Sequence, residues 1–203
     1  MKVSHVLYKT NNLQVAVSTF EALGFHVEYG SKHNPHNALI YFSDGPYIEL
    51  LEKAPIPFYA GWVLTLIGKR KVAERFRYWK NVDEGFFGLC LENEATGFDH
   101  QARILDRYNQ PYFITKSQRT DPANRTLKWK LLIPHELKLP FLMTPFNINP
   151  KPNGVVHPNG VRGIARVSFG TDAHLAEIVG ELCNDNMLRI HVGRGVSEVV
   201  YDQ

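Results

Sequence analysis

The sequence predicts an α+β fold built from repeated β-α-β-β-β units, and three observations predict it. A strand-like segment followed by a capped amphipathic helix occurs three times, starting near residues 2, 86 and 163. Further strand-like segments follow each helix, with turn residues between them. The 203 residues are 44% hydrophobic and 21% charged, ordinary for a globular chain and enough for a sizeable core.

Residues 2–9 (KVSHVLYK) alternate in character and are rich in β-formers, which predicts a strand. Asn11 and Asn12 offer an N-cap, and Leu13, Ala16, Val17, Phe20 and Leu23 then recur at helical steps. Gly24 ends that helix as a residue free to take positive φ. Strands over 25–29, 37–43 and 46–52 complete the unit, with Asp44-Gly45 as a hairpin turn. In the second copy a strand over 86–92 leads to Thr96 as cap. Phe98, Ala102, Leu105 and Tyr108 mark the helix face, and strands follow near 112–117, 126–133 and 138–144. The third copy begins at 163–170, with Thr171 or Asp172 as cap and Leu175, Ile178, Val179 and Leu182 as the buried face. Only two strands follow it, near 187–192 and 196–202, so it is one strand short. The units are therefore 1–53, 85–145 and a partial third at 162–203, separated by an insert at 54–84 and a Pro/Asn-rich loop at 146–161.

The insert carries an apolar run, 58–68, and then IGKRKVAERFRYWK. Its Lys69, Arg70, Lys71, Arg75, Arg77 and Lys80 interleave with Phe76, Tyr78 and Trp79, a pattern that a single-stranded nucleic-acid groove uses. An amphipathic helix uses it too, burying Val72, Phe76 and Trp79 while Lys and Arg stay in water. No RNP-like, KH or zinc-finger signature accompanies it, so a lid or a dimer contact is the expectation and nucleic acid is not. Net charge is only +3. Cys90 and Cys183 sit in apolar contexts and read as buried free thiols. The apolar run is shorter than the roughly 20 residues of a membrane span, and the N-terminus enters a strand without a signal-peptide core. A cytoplasmic protein is the expectation. No Gly-rich phosphate loop, G-x-S-x-G or C-x-x-C is present.

A β-α-β-β-β unit repeated in one chain resembles the vicinal oxygen chelate superfamily of glyoxalases, extradiol dioxygenases and bleomycin-resistance proteins. The segments HVLYKTNNLQVAVSTFEALGFHVEYGSKHNPHNALIYFSDGPYIELLE and RTDPANRTLKWKLLIPHELKLPFL resemble its glyoxalase-like domain branch. The resemblance implies a curved mixed sheet whose concave face holds a metal or a ligand. It also implies an inward His, Gln or Glu on a unit's first strand and a Glu on its last. His5 in SHVLYKT and Glu49 in YIELLE match that pattern. Setting HVLYKT against RVSFGT puts Arg166 at the His5 position, and setting IELLEK against SEVVYD puts Glu198 opposite Glu49. The middle copy offers Phe87 and Leu142, which bind no metal.

The resemblance thus implies His5, Glu49 and Glu198 as ligands of a divalent ion (Zn, Ni, Mn or Fe), with Glu49 or Glu198 moving a proton in lyase, isomerase or dioxygenase chemistry on a small oxygenated metabolite. Arg166 stands against that set, because a guanidinium repels a divalent cation and pairs well with Glu49 or Glu198. The alternative is a metal-free member that binds a small anion, through Arg166 and through Arg119, Arg125 and Trp129 of the middle copy, as a resistance or sequestering protein. Bland readings stand beside these. His5 reads equally as a satisfied half-buried histidine, Arg119 and Arg125 as parts of a solvated strand face, and His33 and His36 as a solvated turn. His191, on a late strand, is a further substitute ligand that nothing requires. A homodimer is the expected assembly.

Overall fold

The computed structural model describes residues 1–53 and 70–203, so the apolar run 58–68 and Lys69 of the insert lie outside the described residues. Strand β1 (Lys2–Lys9) sets the architecture because its side chains alternate between two environments. Val3, Val6 and Tyr8 face a helix-covered core, whereas His5 and Leu7 face the opposite side. Helix α1 (Leu13–Ala22) starts where Asn12 accepts a hydrogen bond from the Val15 amide, and buries Leu13, Ala16, Val17 and Phe20. Gly24 then adopts φ +83°, where its missing side chain also admits Asn159.

Strands β2 (Glu28–Tyr29), β3 (Asn37–Ile40) and β4 (Tyr47–Leu51) follow, somewhat shorter than their apolar runs predict. Helix α2 (Arg70–Asn81) leads to β5 (Gly85–Glu92) and α3 (Asp99–Arg107), which starts at Phe98 rather than at Thr96. Next come β6 (Tyr112–Thr120), β7 (Thr126–Pro134) and β8 (Phe141–Met143). The chain ends with β9 (Gly163–Thr171), α4 (Ala173–Leu182), β10 (Leu188–Val192) and β11 (Gly195–Asp202). Asp172 is the N-cap of α4 but makes no side-chain capping bond, because both its carboxylate oxygens accept from Lys138 Nζ.

Eight strands form one mixed sheet in the order β2-β3-β4-β1-β5-β8-β7-β6. Strands β1 and β4 run parallel, as do β5 and β8, and the two halves join through the antiparallel pair β1–β5. The sheet curls into a half-barrel with α2 against its concave side and α1, α3 and α4 on its convex side. There a single core runs from Val6, Phe20 and Leu50 through Leu89, Leu105 and Leu142 to Val167, Ile178 and Val196. The remaining strands form a second sheet, β10-β9-β11. In it β9 pairs parallel with β10 and antiparallel with β11. Strand β10 therefore holds the place that β4 holds beside β1, and β11 the place of β5.

The expectation that the insert's Lys and Arg stay in water fails at Arg75, which is 3% exposed. Its Nη1 donates to the Leu139 carbonyl (3.2 Å), and its Nη2 donates to the carbonyls of Pro134 (3.0 Å) and Glu136 (2.6 Å). Arg70 and Lys71 spend their charge on Glu74 of the same helix, at 3.1 and 2.8 Å. Trp79 is buried and Phe76 half-buried, as the amphipathic pattern predicts, while the Val72 side chain lies outside the described set.

Gly195 fixes the second sheet against the first. It adopts φ +66°, and a Cβ there would lie 2.3 Å from the Phe87 carbonyl oxygen. Gly195→Ala is therefore expected to destabilise the protein by about 1–3 kcal/mol in urea denaturation. Gly97→Ala, where no atom lies within 4 Å of the added Cβ, serves as the control.

Candidate functional site

The concave face of the half-barrel encloses a cavity of about 450 Å³. Period-two alternation chooses its lining. In β4, Ile48 and Leu50 enter the helix-side core, so Tyr47, Glu49 and Leu51 face the cavity. In β3, Ala38 and Ile40 do the same and turn Asn37 and Leu39 inward. Trp129, Leu131 and Ile133 of β7, Phe141 and Met143 of β8, and Phe76 and Trp79 of α2 supply an apolar, aromatic wall.

His5 and Glu49 meet at this wall, His5 Nε2 lying 3.5 Å from Glu49 Oε2. His5 is 4% exposed, stacks on Tyr47 at 4.6 Å and meets the edge of Phe141 at 5.6 Å. Its Nδ1 lies 3.2 Å from Ser4 Oγ, and that hydroxyl donates to Glu92 Oε2. This network assigns the imidazole proton to Nδ1 and leaves an Nε2 lone pair facing Glu49. Burial pushes His5 down to about 3, so the ring is neutral. Burial also raises the Glu49 carboxyl, while a 2.7 Å hydrogen bond from Asn37 Nδ2 and the charge of Arg119 work the other way. The pair is thus tuned to share one proton rather than to separate charge.

Arg119 sits at the mouth. Its Nη1 donates to the Gly30 carbonyl and its Nη2 to Tyr41 Oη (3.3 Å). Gly30 follows β2 and Arg119 belongs to β6, the two edges of the eight-stranded sheet, so this side chain clasps the curl shut. His36 also lines the cavity, where burial and then Arg119 push its ring down; the reading of His36 as a solvated turn does not hold. Trp129 lines the wall with its ring edge-on to Phe146 at 5.0 Å.

The other expected site residues lie elsewhere. Arg166 and Glu198 face each other at 3.4 Å on the second sheet, their side chains 46% and 54% exposed. Ser168 Oγ also donates to Glu198. Glu198 does not join His5 and Glu49, because β11 corresponds to β5 rather than to β4. Arg125 binds Asp121 Oδ2 at 2.7 Å and the carbonyls of Asn149 and Pro150, strapping the long loop to the β6–β7 hairpin. Leu142 points into the helix-side core and Phe87 packs on Trp79. His191 is exposed and bonded to Ser197 Oγ. Asn37, Tyr47 and Phe141 were not singled out from the sequence. Two-residue steps outward from Glu49 would have found Tyr47, but the pairing of Asn37 with Leu51 needs the sheet register.

A mononuclear metal site of this kind needs three or more converging donors. Among the described residues no group of three His, Cys, Asp or Glu side chains is placed to hold an ion. The two donors His5 and Glu49 therefore do not fit a divalent metal, and the set of His5, Glu49 and Glu198 is not assembled.

A model of the glyoxalase-like domain matches residues 3–182, and the chain belongs to that family. No curated protein matches the sequence. Among solved structures, a hypothetical protein from Staphylococcus aureus is similar with a TM-score of 0.63 and 15% identity, over 96% of this chain and 87% of that one. The Mn(II)-bound glyoxalase from Novosphingobium aromaticivorans gives a TM-score of 0.56 at 9% identity, over 100% of this chain and 65% of that one. A xylose isomerase-like TIM barrel/4-hydroxyphenylpyruvate dioxygenase fusion protein gives 0.55 at 9%, over 100% and 36%. At these identities the likeness shows the fold: this chain shares the half-barrel of the glyoxalase/dioxygenase superfamily. No helix among the described residues is long and apolar enough to cross a membrane.

The neutral His5 makes stability depend on pH. Its folded value lies below the ordinary 6.5, so the unfolded chain binds more protons between about 3 and 6.5. The contribution is complete above pH 6.5 and is lost as pH falls through that window. From pH 7 to 5 the wild type should lose up to about 2 kcal/mol more than His5→Gln in urea denaturation, less whatever a charged His5–Glu49 pair restores.

Proposed function

We propose that the protein binds a small, oxygenated, largely apolar molecule in the concave cavity without the help of a metal ion. The observation that carries this reading is the His5–Glu49 pair, joined by no third metal donor among the described residues, in a hollow whose lining is mainly apolar and whose polar groups include Asn37, His36 and Arg119. A cavity of this size and lining buries the body of a small ligand, while a few convergent polar groups fix its orientation. Glu49, raised by burial, is suited to donate a hydrogen bond to a ligand carbonyl or to exchange a proton with it. Arg119 supplies positive charge at the mouth for an acidic group, and Trp79 and Trp129 pack on the ligand's apolar part. Sequestration and metal-free proton transfer both use this arrangement.

A second reading, metal-assisted lyase, isomerase or dioxygenase chemistry, draws on the family and on the Mn(II)-bound glyoxalase with the same fold. It requires a third donor that the described residues do not bring to His5 and Glu49. Elemental analysis combined with ligand titration separates the two. Small aryl and alkyl keto and hydroxy acids, titrated with and without a chelator, should quench tryptophan fluorescence equally in both conditions. Glu49→Gln should weaken binding by about tenfold, the scale of one charge-assisted hydrogen bond. A stoichiometric metal whose removal abolishes binding would overturn the metal-free reading.

A further inference from the structure

Strand β1 breaks its alternation at one residue. Val3 and Val6 both enter the helix-side core while His5 and Leu7 face the hollow, so Ser4 is the extra residue of a β-bulge. The register against β5 shifts there, between Val3 and His5. The bulge turns the Ser4 side chain to the side of His5. Its Oγ lies 3.2 Å from His5 Nδ1, 3.2 Å from Glu92 Oε2 and 3.3 Å from Met143 Sδ. An unbulged strand with His5 in place would aim this hydroxyl into the apolar core.

The bulge thereby links Glu49, His5, Ser4 and Glu92 in succession. Glu49 and His5 line the concave cavity, whereas Ser4 and Glu92 lie outside that lining. His5 and Ser4 are buried, and Glu92 is half-buried at the last position of β5. Each middle member accepts on one side and donates on the other: His5 accepts at Nε2 and donates at Nδ1, and Ser4 accepts from His5 and donates to Glu92. Asn37 occupies Glu49 Oε1 and leaves Oε2 toward the ring. The longest gap, 3.5 Å between His5 Nε2 and Glu49 Oε2, is of the kind that tightens when a site is loaded.

We propose that Ser4 and Glu92 complete, with His5, a proton relay connecting Glu49 to solvent when a ligand fills the cavity. The relay rests on the reading of that cavity as the ligand site. A proton leaving Glu49 Oε2 binds His5 Nε2, the Nδ1 proton of the same ring passes to Ser4 Oγ, and the Ser4 hydroxyl proton passes to Glu92 Oε2. One O–H bond is lost at Glu49 and one is formed at Glu92. The ring changes tautomer, and no imidazolium is needed. The reverse order returns the proton to Glu49. Ser4 and Glu92 touch no ligand, so they are positioning residues that act through His5. The path serves repeated proton exchange with a bound carbonyl compound, which storage of a ligand does not require.

Solution NMR of the ligand-free full chain, isotope-labelled at the histidine nitrogens, tests this. Long-range proton–nitrogen correlations report each ring's tautomer, and His5→Gln identifies the His5 signals among the nine histidines. The wild type should carry the His5 proton on Nδ1, and Ser4→Ala should move it to Nε2. Glu92→Gln keeps an acceptor oxygen for the Ser4 hydroxyl but cannot take up its proton. It should leave the tautomer unchanged and slow exchange of the His5 ring proton with water by about a hundredfold, the lower end of what one positioned acid–base group contributes. The β1 backbone amides should keep their exchange rates, which a merely structural role for Glu92 would alter together with the ring. No ligand is present, so this outcome does not depend on whether keto acids bind; the fluorescence titration decides that separately, and Glu92→Gln should leave it unchanged. A wild-type ring protonated at Nε2, or ring exchange in Glu92→Gln slowed no more than that of the β1 amides, would overturn the relay.

Discussion

The antiparallel pairing of β1 with β5 is the contact on which the rest of the structure depends. Each half of the large sheet has its first strand paired parallel with its last, which leaves one edge of that first strand unpaired. Joining the two edges satisfies both rows of backbone groups and makes a sheet long enough to curl. Register shifts beside Ser4 and between Leu7 and Tyr8 mark where the seam departs from a regular ladder. Because the seam lies mid-sheet, β1 is covered on both faces. Val6 enters a dry core, and His5 is pressed into the wall of the hollow with its register partners Tyr47 and Cys90.

Burial then sets the chemistry of that wall. In a low-dielectric hollow an imidazole and a carboxyl each resist charging, so His5 is pushed down and Glu49 up. Arg119 keeps its charge at the cavity mouth, where its guanidinium stays partly wet and ties the two sheet edges together. Arg75 shows the opposite solution on the far side of α2. It is a fully buried cation whose Nη donors are met by three backbone carbonyls, with the Glu136 charge nearby, and it fastens the loop after β7 to the helix. One arginine spans an opening and the other fills a joint, though nothing in their sequence neighbourhoods tells them apart.

The secondary structure was legible because its signals are local. The strand at 2–9, the Asn12 cap with its apolar helix steps, and the buried face of α4 all follow from side-chain periods of two and three to four residues. Caps were less legible. Thr96 and Asp172 have the right chemistry, but α3 begins at Phe98, and Asp172 spends its carboxylate on a lysine 34 positions away. At the site, His5 and Glu49 converge because β1 and β4 are neighbours in register within one unit. Arg166 and Glu198 look equivalent to them in one-dimensional alignment, yet β11 approaches β9 antiparallel and carries Glu198 to an exposed face.

By itself the sequence determined which segments become strands and helices, and that alternation along β1 and β4 would give His5 and Glu49 a face different from Val6 and Leu50. Those properties are set by each residue and its near neighbours. Only the tertiary structure decided which strand edges meet, and therefore that two polar side chains share one hollow, that a third lies on another sheet, and that Arg75 is shut away from water. Strand order depends on contacts between residues far apart in the chain, and no local period encodes a partner.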